Sequence, residues 1–233
     1  MDKFIVIDGL DGSGKDTQVK LLAEMYEKQG KNVVVRSHPS MDNKYGIKSK
    51  EALLKTGKIN HLKATVYFGL DAIRSIRKYY NNDNIDVLIF SRYIMSVVYL
   101  PNVINIIIYK FVSFVLPTSD YMFFLDVSPE ESLKRIDNRS EETEMFENME
   151  ELEKARIKSK KVTYDWNIIN ADNSIAKVND EIKEKLSESD VIQDIKRTTE
   201  LSKELSSLED IVNSYSEYKT ILSGIKEAHE MEN

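Results

Sequence analysis

The stretch 4-FIVIDGLDGSGKDTQ-18 decides how this chain is read. Phe4, Ile5, Val6 and Ile7 form a short aromatic and β-branched run, the composition of a buried strand. Gly9, Gly12 and Gly14 follow, then Lys15, Asp16 and Thr17. Next comes a helical pattern that puts Val19, Leu22, Ala23 and Tyr26 on one face. A strand that runs through a glycine-rich loop into a helix is the context in which backbone amides cradle phosphate. Glycines let N–H groups turn inward, and the helix N-terminus adds positive potential. Gly9-x4-Gly14-Lys15 has the spacing of a P-loop, whose lysine reaches the β- and γ-phosphates of a nucleotide. The position after that lysine, ordinarily Ser or Thr, is Asp16.

The remaining composition narrows the class. The 233 residues suit one large domain, or one domain with an appendage, and 41% hydrophobic residues suffice for a core. A net charge of −6 argues against a surface that coats nucleic acid, although a P-loop is a local positive site. With no cysteine and three scattered histidines, disulfides, thiolate metal sites and structural zinc are not expected. A first strand at Phe4 leaves no room for a targeting peptide, so a cytoplasmic location is expected. The apolar stretch 97-VVYLPNVINIIIYKFVSFVL-116 is interrupted by Pro101, Asn102, Asn105 and Lys110, short of the ~20 apolar residues that span a bilayer. It reads as two helices broken near Pro101, facing the core or a second subunit, and no membrane partner is expected.

Further strands are predicted at Asn32–Arg36, which reads as buried, and at Asp86–Phe90, Tyr121–Val127 and Trp166–Asn170. Helices are predicted at Ile47–Leu54, at His61–Tyr80 with Asn60 as cap, after Pro129, and from Asn173 or Ser174. Strands that alternate with helices argue for a parallel sheet covered on both faces, with ligands beyond the carboxyl ends of the strands. Past Leu186 the composition turns to Ser, Glu and Lys. Leu201, Leu205, Leu208, Val212, Tyr215 and Leu222 keep a 3.5-like spacing, with Lys219 at the missing step. That stripe fits a helix packed on the domain or on another copy, and equally a solvated tail.

Five stretches in order resemble the thymidylate kinases and related P-loop nucleoside monophosphate kinases: GLDGSGKDTQ, YFGLDAIRSI (67–76), SRY (91–93), FFLDVSPEESLKRIDNR (123–139) and IINADNSIAKVNDEI (168–182). The resemblance implies a P-loop NTPase-type doubly wound, five-stranded parallel sheet with a lid. The kinase-like domain would span 1–187, and 188–233 would be a C-terminal helical extension. It also implies transfer of the γ-phosphate of ATP, with Mg2+, to a nucleoside monophosphate such as dTMP, by a homodimer. On that resemblance, Gly9, Asp11, Gly12, Ser13, Gly14, Lys15, Asp16 and Thr17 surround the donor phosphates. Arg92 grips the acceptor phosphate, Asp11 accepts from its sugar, and Phe68 stacks on its base. Arg135 and Arg139 act from the lid side, within a lid loop at 137–146. Lys15, Arg92, Asp11 and Arg139 would carry the chemistry. As alternatives, Arg92 could serve a surface ion pair, and Lys134, Arg135 and Arg139 a solvated helix face.

Three departures qualify the resemblance. Ala72 stands where the family has an arginine that reads thymine, and Met145 where many relatives have a lid arginine. Asp16 and Ser91 form the third, because relatives place a hydroxyl at the first position and an aspartate at the second. The same two ligand types would then serve a metal from exchanged positions, making Asp16 and Ser91 the candidate metal ligands. Two rival readings stay open on the residues alone: a P-loop kinase with a different phosphoacceptor, and a nucleotide-binding regulator on a decayed kinase scaffold.

Overall fold

The computed structural model describes residues 1–55, 57–100, 102–138 and 147–231. Residues Met1–Leu186 form one compact unit and Ser187–Asn233 a second. The first unit is built on five parallel strands: β1 (Lys3–Gly9), β2 (Val33–Ser37), β3 (Val87–Ser91), β4 (Met122–Asp126) and β5 (Asn167–Asn170). Their order is β2-β3-β1-β4-β5. The chain leaves β1 toward the β2 edge and leaves β3 toward β4, so a crevice opens at the carboxyl ends of β1 and β3.

The expected elements are present, with boundaries set by local chemistry. Helix α1 (Lys15–Lys28) follows the glycine loop, and α2 (Lys44–Leu53) is capped by Asn43, which accepts from Tyr45 and Gly46 N–H. Helix α3 covers Lys58–Tyr79, three residues earlier than the sequence suggests. Asn60 is no cap: Gly57, at φ 104°, makes the break, and Asn60 lies inside the first turn. A 3-10 turn (Met95–Tyr99) and α4 (Asn102–Val115) occupy the long apolar stretch, and Pro101 lies outside the described residues. Pro129 opens α5 (Pro129–Asp137) under a Ser128 cap, and Asn148 caps α6 (Met149–Lys160). Helix α7 is assigned over Ile175–Met231, with Ser174 accepting from Lys177 N–H.

Burial explains the sequence pattern. The central strands β1, β3 and β4 are nearly continuous runs of buried apolar residues, as a sheet covered on both faces requires. Strand β2 departs from its expected burial because it is an edge, and Val35 is exposed. Helix α4 buries Asn105 and Tyr109 but leaves Ile104, Ile107, Phe111 and Phe114 in solvent, Phe114 at 89%. Among the described residues no helix is long and apolar enough to cross a membrane. In the second unit Leu201, Leu205, Leu208 and Tyr215 are exposed, and the side chains of Val212 and Leu222 lie outside the description.

The segment after β2 is tied to α3 by a buried carboxylate. Asp71 accepts from Ser40 N–H (2.6 Å), Ser40 Oγ (2.7 Å) and Asn43 Nδ2 (2.7 Å). This fixes Pro39 and Met41 in the wall of the crevice described below. Asp71→Ala strands several buried donors, each costing about 1–3 kcal/mol. The expected outcome is a melting temperature lower by roughly 5–10 °C in calorimetry.

Candidate active site

A cavity of about 260 Å³ lies beyond the carboxyl ends of β1 and β3. Asp11 lines it from the glycine loop, Asp16 from the first turn of α1, Arg92 from the end of β3, and Phe68 from α3.

The loop is shaped to receive an anion. Gly14, at φ 87°, is the N-cap of α1 and contributes no side-chain cap, so the first-turn amides have neither an intrahelical nor a capping partner. At Gly12, φ is 74° and an added Cβ would sit 2.5 Å from the Ser132 carbonyl, which excludes any side chain. Ser13 Oγ is buried with no hydrogen-bond partner among the described atoms, an orphaned group that a phosphate oxygen would satisfy. Lys15 folds inward, donating to the carbonyls of Gly9 (2.9 Å) and Leu10 (2.5 Å) and lying 3.7 Å from Asp11. Burial, then the Arg92 charge, pull its ammonium below the usual lysine range against the pull of Asp11.

Asp8, which sequence reading left without a role, organises the opposite wall. Its buried carboxylate accepts from Gly9 N–H (2.9 Å), Tyr93 N–H (2.8 Å) and Met95 N–H (3.3 Å). Burial raises its pKa against the pull of these bonds. Between those amides Arg92 adopts φ 60°, a left-handed conformation rare outside glycine, at the end of β3. Its N–H donates to the Ile7 carbonyl (3.3 Å). Its carbonyl accepts from Nδ1 of His38 (3.0 Å), which fixes the tautomer because a carbonyl only accepts. Nε2 of His38 then accepts from Ser75 Oγ (2.9 Å), and Ser75 Oγ accepts from Arg36 Nε (3.3 Å). The His38 ring lies edge-on to Phe90 (4.9 Å) and Phe68 (6.0 Å), so it also seats the aromatic floor of the cavity.

The candidates of the sequence converge in part. Arg92 lies 3.3 Å from Asp16 Oδ1 and 3.6 Å from Asp11 Oδ1. Ser91 Oγ donates to Asp16 Oδ1 (3.0 Å), so the two exchanged positions are in contact. Burial would raise the Asp16 carboxyl, but Arg92 and Lys15 outweigh it and hold the group below the usual carboxylate range. Phe68 lines the same cavity. Thr17 is exposed on α1. Arg135 sits behind the loop, donating to the carbonyls of Gly12 (3.3 Å) and Ala171 (3.0 Å) and to Glu131 (2.9 Å), a staple between loop and sheet. Arg139, Met145 and most of the lid loop lie outside the described residues. Sequence reading gives no role to His38, Lys50, Tyr99 and Glu147, all on the cavity wall, although His38 lies in the polar stretch that follows β2. Tyr99 donates to Asp11 Oδ2 at 3.4 Å. Only His38, beside a proline at a strand end, carried a local signal.

A family model of thymidylate kinase matches residues 7–182. This chain belongs to the thymidylate kinase family. It is a nucleoside monophosphate kinase. A probable thymidylate kinase of Methanococcus aeolicus is 30% identical over 82% of this chain and 100% of its own length. A thymidylate kinase of Prochlorococcus marinus is 30% identical over 79% and 95%, and a probable one of Thermococcus gammatolerans 29% over 78% and 94%. The structure of thymidylate kinase from Candida albicans superposes with a TM-score of 0.61 at 19% identity, covering 80% of this chain and 91% of that one, a likeness of fold. A model of the PCRF domain matches residues 175–233.

In this family member the His38 imidazole is held below its usual value of 6.5, first by burial. The unfolded chain therefore takes up the proton at a higher pH than the folded one. The His38 contribution to stability is complete above about 6.5 and is lost as pH drops below it, with His61, also depressed by burial, adding in the same sense and Asp8, raised by burial, opposing it. Melting curves from pH 7.5 to 5 check this: His38→Asn, which keeps a donor toward the Arg92 carbonyl, is expected to show the weaker pH dependence.

Proposed function

We propose that this kinase transfers the γ-phosphate of ATP, with magnesium, to dTMP. The observation that carries the reading is the meeting of Asp11 and Arg92 on the wall of one cavity, with the buried Lys15 3.7 Å from Asp11, beside an anion-ready loop. Phosphoryl transfer asks for charge neutralisation and alignment more than for covalent help. Lys15 and the amides of Gly12 to Thr17 hold the β- and γ-phosphates, and the Thr17 hydroxyl an inner phosphate. Gly9 lets the loop turn, and the Ser13 hydroxyl gains the partner it lacks. Arg92 takes the acceptor phosphate with two parallel bonds and sets it in line. Asp11, oriented by Tyr99, accepts from the acceptor's sugar, while Phe68 carries its base. Arg135 serves the donor side by fixing the loop, and Arg139 would act from the lid.

The residues present fit magnesium. A carboxylate and a hydroxyl in contact, Asp16 and Ser91, are hard oxygen donors, and this cation needs only one or two protein ligands beside phosphate and water. Bound there, the cation would supply charge neutralisation between the donor phosphates.

One observation favours a broader acceptor range. Ala72 is buried in the hydrophobic core, so α3 offers no arginine at that position to hydrogen-bond a base, and a site lacking such a partner discriminates weakly. The reading also includes a homodimer, supported by exposed apolar stripes on α3 (Ile59, Leu62, Val66, Leu70) and α4 (Ile104, Ile107, Phe111, Phe114). Its other parts are a kinase domain at 1–187, a helical extension at 188–233 and a cytoplasmic location, the last supported by the absence of cysteine.

A coupled ADP-release assay with magnesium-ATP, run against dTMP, dUMP, UMP, dCMP, CMP, AMP and GMP, tests the acceptor. Turnover with dTMP that Lys15→Ala abolishes is expected, and turnover confined to another monophosphate would replace the substrate. Asp16→Ser should cut magnesium-dependent turnover at least tenfold, about 1.4 kcal/mol, and Asp16→Ser with Ser91→Asp should restore it. A rise in activity from the single change would refute the exchanged metal ligands.

A further inference from the structure

Arg92, the residue assigned to the acceptor phosphate, is held between Asp16 (3.3 Å) and Asp11 (3.6 Å). Its backbone is pinned on both sides: its N–H is bound by Ile7, its carbonyl by His38, and the following amide by Asp8. Any change in what the guanidinium grips must therefore come from its side-chain torsions. The ion pair with Asp16 sits at the solvent boundary, where the two side chains are 27% and 64% exposed. Such pairs are weak and readily exchanged for a stronger partner. Asp16 is in the first turn of α1, beside the amides that await the donor phosphates, and its Oδ1 also accepts from Ser91. A divalent cation and a guanidinium thus compete for the same carboxylate oxygens.

We propose that Asp16 couples the two substrate sites of this kinase by holding Arg92 until metal and nucleotide arrive. This rests on the reading of Asp16 as a magnesium ligand. Without donor, the carboxylate keeps the guanidinium toward the loop. When a metal–nucleotide complex claims the carboxylate, Nη1 of Arg92 loses that partner and turns to join Nη2, which stays beside Asp11, at the acceptor phosphate. A serine or threonine at position 16 carries no charge with which to hold an arginine, so the coupling belongs to the aspartate. Linkage makes it reciprocal: the acceptor, by drawing Arg92 away, frees Asp16 for the cation and strengthens donor binding by the same factor.

The test is calorimetric titration of the full chain with dTMP under four conditions: no addition, magnesium alone, a non-hydrolysable ATP analogue alone, and both together. The wild-type protein is expected to bind dTMP roughly three- to fivefold more tightly with both than with neither, the size that release of an exposed ion pair allows. Asp16→Asn removes the charge from an exposed position. It should bind dTMP more tightly than wild type without donor and change by less than twofold when donor is added. A melting curve of this variant confirms that it is folded. Wild-type affinity for dTMP that is the same in all four conditions, while a parallel titration shows the analogue bound, overturns the coupling. So does full coupling retained in Asp16→Asn. The metal assignment is judged separately, by the magnesium dependence of analogue binding in the two proteins. If that dependence is equal, the metal assignment fails, whereas tighter donor-free binding of dTMP by Asp16→Asn would still support the hold on Arg92.

Discussion

One buried carboxylate holds the site together. Asp8, at the end of the central strand, accepts from the amides of Gly9, Tyr93 and Met95, and so joins the phosphate loop to the turn that carries Arg92. Burying a carboxylate is costly unless its lone pairs are filled, and here backbone amides fill them. The same bonds keep Arg92 in a left-handed conformation that a β-strand end would not adopt alone. The arginine and the loop are thereby fixed to one another rather than merely near one another. In-line phosphoryl transfer requires that fixity, because small displacements of the acceptor are costly.

A second set of constraints builds outward from the same turn. His38 joins the Arg92 carbonyl to Ser75 of α3, and its ring links Phe90 of β3 to Phe68 at the cavity. Phe90 in turn packs edge-to-face on Phe4 and Tyr93. The acceptor wall is therefore continuous with the core, and α3 contributes to both. Arg135 does the equivalent on the other side, clamping Gly12 of the loop against Ala171 beyond β5. The reacting groups hang from elements locked by packing and hydrogen bonds, while Asp16 and Arg92 pair with one another at the solvent boundary.

What was legible in the sequence was what local pattern determines. The strand, glycine loop and helix at 4–18 have a spacing that only one backbone arrangement explains, and alternating strands and helices imply a parallel sheet with its crevice at the carboxyl ends. Asp8 falls among the polar strand ends where a ligand is expected, but its role was not legible, because a carboxylate that ends a strand looks like any polar terminus. Its partners, Tyr93 and Met95, are more than eighty residues away. The burial of β2 was misjudged because three valines in a row carry no information on whether the strand is an edge. Arg135 was expected near the donor, and its bonds to two carbonyls follow from the packing of α5 on the loop, which spacing does not encode.

The contacts of the charged groups show how the site manages its charges. Lys15 is buried and donates to the carbonyls of Gly9 and Leu10, which take the part of phosphate oxygens. Asp16 has a guanidinium beside it, and Ser13 Oγ has no hydrogen-bond partner among the described residues. Each group the nucleotide needs is thus kept in place by a weaker stand-in, except the serine, which has none. Substrate binding then exchanges partners instead of assembling charges from water, and little of the binding energy goes into rearranging the protein. An aspartate after the P-loop lysine fits that scheme. Beside a triphosphate it would only repel, but between a cation and an arginine it always has a positive neighbour, and its choice between them sets when the arginine is available.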